Sequence, residues 1–147
     1  MKVAVREYAG IIGALPPSVW LPWGYFEHRG CFLDCRGPLS IDKSSRWGYR
    51  VTVLTESHDV GQWPELGPVL PYGVIVEADA WIGSLSLLAG CQVCTGAIVA
   101  AGTVLRGQTV APGVMVAGNP ARVVARWDGK RWIYLPEAES GYARRLE

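Results

Sequence analysis

The chain has 147 residues, of which 50% are hydrophobic and 18% charged, so it holds enough apolar side chains to build a core, and wholesale disorder is excluded. Eighteen Gly and ten Pro exclude a helix bundle, because each costs about 1 or 3 kcal/mol inside a helix. A net charge of +1 provides no global field for nucleic acid.

Taken in chain order, residues 8 to 26 come first, a stretch with no charged side chain that matches a membrane span in length. Pro16, Pro17 and Pro22 would break its helical hydrogen bonds, and no small-x-small cleavage site follows the short Ile11 to Leu15 run. Residues 1–29 therefore read as a cap or outer segment. Trp20, Trp23, Tyr25 and Phe26 pack over the end of a core, with membrane-surface contact by residues 8–26 as the weaker alternative.

From Gly30 to about Val124 apolar residues recur every six positions, a step that belongs neither to a helix nor to a half-buried strand. Cys35, Ile41, Trp47 and Val53 form one series, Leu70, Val76 and Ile82 a second, and Leu87, Val93, Val99 and Leu105 a third. Four positions after these residues stand Ser45, Val51, Ala80, Ser86, Cys91, Ala97 and Thr103, all small or β-branched. One inward aliphatic and one small residue per six suit a short strand followed by a corner. Three such units close a triangular coil, and stacked coils pair strand to strand at about 4.8 Å.

Two phase breaks interrupt the series. Between Val53 and Leu70 lies His58 to Pro68, with Gly61, Trp63, Pro64 and Gly67, which reads as an extruded loop. The five residues from Ile82 to Leu87 read as a local bulge. Trp47 is too large for a narrow interior, so the first coil is expected to be wider or out of register. After Val124 the period ends, and Trp127 to Tyr134 reads as two short strands around the Asp128-Gly129 turn, a cap within residues 125–147.

Four cysteines, Cys31, Cys35, Cys91 and Cys94, make C-x3-C and C-x2-C pairs. No further Cys and no suitably spaced His completes a zinc site, so they read as reduced structural thiols of a cytoplasmic protein. With only His28 and His58 present, a three-histidine metal centre is excluded, and no metal is expected. No Lys or Arg occurs between Val51 and Leu105, whereas Arg106, Arg122, Arg126, Lys130, Arg131, Arg144 and Arg145 crowd the C-terminal part. They read either as a solvated tail or as partners for a phosphorylated ligand.

The repeat, together with Leu54-Thr-Glu-Ser-His-Asp59, Ala80-Trp-Ile-Gly-Ser84, Ala100-Ala-Gly-Thr-Val104 and Ala117-Gly-Asn-Pro-Ala-Arg122, resembles the hexapeptide-repeat acyltransferases, in particular the small sugar O-acetyltransferases of the galactoside and maltose type. The resemblance implies an all-β fold, a left-handed parallel β-helix over residues 30–124. It also implies a homotrimer, acetyl-CoA as co-substrate and a sugar or glycan-related hydroxyl as acceptor. It places the general base at His58, where a neutral imidazole accepts the hydroxyl proton near neutral pH. Asp59 or Glu56 are candidates to orient the ring, and Asp59 reads equally as a turn residue.

Similar enzymes set the cofactor against Trp81, Gly83, Ser84, Ala101 and Arg122, with Arg106 as a further phosphate partner. Gly83 and Ser84 N–H groups are candidates to stabilise an oxyanion. Gly107 departs from the threonine-lysine pair often found in relatives. Asp34 and Arg36 fall where related enzymes meet the acceptor, and they read equally as a surface ion pair. The repeat itself is indifferent to two rivals: a non-catalytic trimeric scaffold, and an acyltransferase for an amine acceptor or a different acyl group.

Overall fold

A computed structural model describes residues 10–140; Tyr8 and Ala9, and Arg144 and Arg145, lie outside them. Within that range the chain is a left-handed parallel β-helix, a column of very short strands in three sheets. The first sheet holds Ile11–Ile12, Phe32–Asp34, Thr52–Leu54, Leu87–Ala89 and Val104–Arg106. The second holds Leu39–Ile41, Val74–Val76, Gln92–Val93 and Thr109–Val110. The third holds Arg46–Trp47, Trp81–Ile82, Ile98–Val99 and Val114–Ala117 and is extended by two antiparallel strands, Arg122–Trp127 and Trp132–Tyr134.

Alternate side chains turn inward, two in the strands Leu39–Ile41 and Val74–Val76 and one in most others. Val53, Leu88 and Leu105 stack in the first sheet, Val76, Val93 and Val110 in the second, and Ile82, Val99 and Val116 in the third. All are buried, each contributing about 1.5–3 kcal/mol. The small residues expected beside them, Ser45, Val51, Ala80, Ser86, Cys91, Ala97 and Thr103, are buried as well. They lie where adjacent sheets converge and larger side chains would force the corner open.

The register differs from the sequence expectation in three places. Leu88, not Leu87, points into the column, and Leu70 is exposed on an outlying strand. The spacing from Ile82 to Leu88 is therefore regular, and no bulge follows Ile82. The short step falls instead at the corner between the first and second sheets, where Gly90 and Gly107 take left-handed conformations (φ 54° and 64°) and turn the chain in one residue fewer. Complete coils consequently repeat every 17 residues, as Val76, Val93 and Val110 show. Finally, Cys35 is only half-buried, and the inward residue of its strand is Leu33.

Trp47 is in register with Ile82, so the first coil is not shifted. Its strand ends the third sheet, and no further coil confines the indole there. Phe26, from the short helix Trp23–His28, lies edge-on to it at 5.2 Å, and Trp47 Nε1 donates to Ser45 Oγ at 2.9 Å. Ile11–Ile12 pairs with Phe32–Asp34, and Val19 bridges to Ile41, so this N-terminal segment supplies the final rungs of two sheets. Among the described residues no helix is long and apolar enough to cross a membrane.

Candidate functional site

The loop expected between Val53 and Leu70 is a β-hairpin springing from the corner of the first and second sheets. Glu56, Ser57 and His58 pair with Pro71, Leu70 and Val69. Thr55 fixes its root: the carbonyl accepts from Tyr72 N and Gly73 N, and the buried hydroxyl donates to Asp34 O while accepting from Gly37 N. Tyr72 Oη donates to Glu56 O at 3.0 Å and completes the clamp.

His58 is exposed, and its Nδ1 lies 3.0 Å from Gly67 O across the hairpin. A carbonyl oxygen only accepts, so the neutral ring carries its proton on Nδ1 and leaves the Nε2 lone pair free. A backbone carbonyl, and neither proposed carboxylate, orients the ring. Asp59 Oδ1 accepts from Gly61 N at 2.8 Å in a local turn, and Glu56 Oε1 lies 3.0 Å from Arg36 Nε.

Asp34 and Arg36 are indeed an ion pair, joined by two hydrogen bonds of 2.9 and 3.1 Å. The hydrogen bonds that Arg36 donates to Asp34, with Glu56 nearby, push the Arg36 pKa up. Asp34 is buried and Arg36 half-exposed, so both partners of the guanidinium belong to the protein.

At the corner between the third and first sheets, regular coils build a pocket of about 460 Å³. Tyr49, Trp81, Gly83, Ser84 and Ala101 line it. Glycine is required twice for close backbone approach: a Cβ on Gly83 would stand 2.5 Å from Ala101 N, and one on Gly48 would stand 2.5 Å from Ser84 N. Trp81 lies outward in a column that runs from Arg46 through Trp81 to Ile98 and Met115. Ser84 Oγ accepts from Tyr49 N at 2.9 Å, leaving its own hydroxyl proton to donate.

Gly83 N donates to Val99 O at 2.7 Å, so the expected oxyanion role of that N–H is excluded by the ladder itself. Ser84 N and Ala101 N make no hydrogen bond among the described residues and present free donors one coil apart. Arg122 is exposed opposite Ala117, one coil beyond Ala101 at the same corner. Arg106 ends its strand at the other corner, beside Gly107, and does not join this group.

The structure thus makes two clusters. Asp34 and Arg36 stand with Glu56 at the hairpin root and His58 lies two residues further along the same strand, while Trp81, Gly83, Ser84, Ala101 and Arg122 share the regular corner. Thr55, Tyr72 and Tyr49 were not expected from sequence; only the hairpin pairing reveals the first two. The four cysteines are free thiols, and burial pushes Cys35 up to about 11 and Cys91 to about 12. No group of His, Cys, Asp and Glu suited to a metal occurs among the described residues.

No family model matches the chain, and no curated protein matches it in sequence. Solved structures do match. A maltose O-acetyltransferase from Clostridium difficile 630 is similar with a TM-score of 0.54 and 20% identity, over 60% of this chain and 48% of that one. A mutant of AntD, an N-acyltransferase from Bacillus cereus, in complex with dTDP-4-amino-4,6-dideoxyglucose and coenzyme A, is similar with a TM-score of 0.54 and 18% identity, over 63% of this chain and 54% of that one. The chain spans about half the length of these structures, and the fold it shares with them is the left-handed β-helix.

Proposed function

We propose that the protein is an acyltransferase that moves an acetyl group from acetyl-CoA directly to a hydroxyl of a sugar-related acceptor, with His58 as general base. One observation carries this reading: the Nδ1 proton of His58 is anchored on Gly67 O, so Nε2 is held as a free acceptor on an exposed hairpin. Nε2 takes the hydroxyl proton as the acceptor oxygen attacks, and the same nitrogen then returns that proton to the departing thiolate.

Coenzyme A supplies the activated thioester. The regular corner suits it: Ser84 N and Ala101 N are free donors for an extended amide-bearing arm, and Arg122 is an exposed cation for phosphate. The Ser84 hydroxyl and N–H are the donors available where negative charge develops.

The two clusters occupy different corners of one rod, so the reading requires neighbouring copies, and a homotrimer closes each site. The exposed apolar side chains at both places support this: Val60, Trp63 and Leu66 on the hairpin, and Tyr49, Trp81 and Leu85 beside the pocket. Free thiols agree with a cytoplasmic protein. An amine acceptor is the second reading, favoured by the equal similarity to an N-acyltransferase.

His58→Ala should lower acceptor-dependent thiol release by about 100-fold or more with an unchanged melting temperature, since the ring is exposed. Unchanged release would end the assignment. A chain that shows no saturable heat with acetyl-CoA would instead be a scaffold.

A further inference from the structure

A second concavity lies apart from the pocket at Ser84. It lies on the outer face of the second sheet, encloses about 750 Å³ and continues to the corner glycines Gly73, Gly90 and Gly107. We infer that this groove is a binding site for a neutral oligosaccharide chain, an extended acceptor subsite that resting on the transferase reading places the modified hydroxyl within a glycan rather than on a free monosaccharide.

Four features point there. None of the residues lining the groove is charged, which excludes phosphate, carboxylate or ammonium recognition as its main interaction. Its polar side chains are hydroxyls and amides: Ser18 Oγ donates to Leu39 O, and Gln92 and Gln108 each commit one amide hydrogen, to Glu77 Oε1 and Ala121 O, which leaves their oxygens as acceptors and the Ser40 and Thr109 hydroxyls to donate and accept, as a ligand made of hydroxyls requires. Interleaved with them are exposed apolar surfaces, the Tyr72 ring and Ile75, against which the C–H face of a pyranose packs.

The outward residues also rise in register. Ser40 lies beside Ile75, Ile75 beside Gln92 and Gln92 beside Thr109, so the floor advances in three steps of about 4.8 Å, or about 14 Å in all. Each of these steps is close to the advance per ring of a glycan chain, so the floor spans about three rings. A peptide fits less well, because the floor's backbone is committed to the ladder: Ile75 N donates to Cys91 O and Gln92 N to Gln108 O. The groove starts at Pro71 and Tyr72, the returning end of the hairpin that carries His58, and Tyr72 Oη holds Glu56 O on the opposite strand.

The test probes an array of immobilised neutral glycans with the full chain, then titrates the free oligosaccharides that bind by calorimetry, with coenzyme A titrated separately. Binding should tighten with length up to about three rings, and uronic-acid oligomers should bind at least about tenfold more weakly. Ile75→Arg and Thr109→Arg, at exposed positions on different coils, should each weaken glycan binding by about tenfold or more. Their melting temperatures and coenzyme A titrations should match the native chain's. The inference falls if no neutral glycan binds, if length has no effect, if charged oligomers bind as tightly, or if a folded Arg variant binds like the native chain. Loss of coenzyme A binding alone would remove the transferase reading and leave the groove standing.

Discussion

The two corners that flank the first sheet are built oppositely. At the corner of the third and first sheets the coils follow one another without interruption, and function is offered by the backbone itself: free N–H groups on successive rungs and glycines that let the rungs touch. At the corner of the first and second sheets the last two coils are one residue short, another is opened by a hairpin, and the proposed function rests on side chains of that projecting arm. Regular stacking yields a fixed surface, while interruption yields reach, and the proposed transfer between two substrates would use both.

That contrast makes unequal demands on stability. Gly83→Ala should be the most damaging change, because its Cβ would collide with the backbone of Ala100 and Ala101, and backbone cannot step aside without parting the coils. A loss of about 3 kcal/mol is expected in urea unfolding. Replacing residues 60–66 of the hairpin by a short turn should cost less than about 1 kcal/mol, since these side chains are exposed, while abolishing transfer because the Gly67 anchor for His58 is displaced. Equal losses from the two changes would erase the distinction drawn between the corners.

Ser84→Ala removes the acceptor of Tyr49 N and should cost about 1 kcal/mol. Leu85 tests the same corner with the opposite sign. It is left-handed at φ 63° and 65% exposed, whereas Gly102 occupies the equivalent place one coil on at φ 72°. Leu85→Gly should therefore raise stability by about 0.5–1 kcal/mol, seen as a melting temperature about 2 °C higher. No gain would mean that the corner carries no strain.

The smallest effect lies at the remaining corner. Hydrogen bonds from Gln92, and then from Thr95, hold the Glu77 carboxyl below its ordinary value of 4.5. A lowered folded value contributes stability above the unfolded one and loses it as pH falls through the folded one. The native chain should thus lose melting temperature below about pH 4.5 more steeply than Glu77→Gln.

Much of the column was legible from residue types alone, because an inward aliphatic followed four positions later by a small residue is a packing requirement that leaves a direct trace. The hairpin was legible as a break in that trace. The choice between Leu87 and Leu88 was not, since adjacent leucines satisfy the pattern equally, and the deciding cue is Gly90, whose left-handed turn shortens the next corner. Of the two alternatives for Trp47, the register shift does not occur, and the first coil from Leu33 to Val53 is three residues longer than the 17 of the later ones, while a residue at the end of a column is confined on one side only. The ring partner of His58 was invisible because it is a main-chain carbonyl, which every residue possesses. The groove on the second sheet has no motif at all, being assembled from single outward residues of four separate coils.

The 17-residue turn gives the rod something like a reading frame. An insertion of one residue within a rung would exchange its inward and outward side chains and disturb every rung stacked above it. Length can change only in whole turns, each bringing its own left-handed glycine to the same edge. The height of this molecule is therefore quantised, and with it the distance available to anything laid along its side.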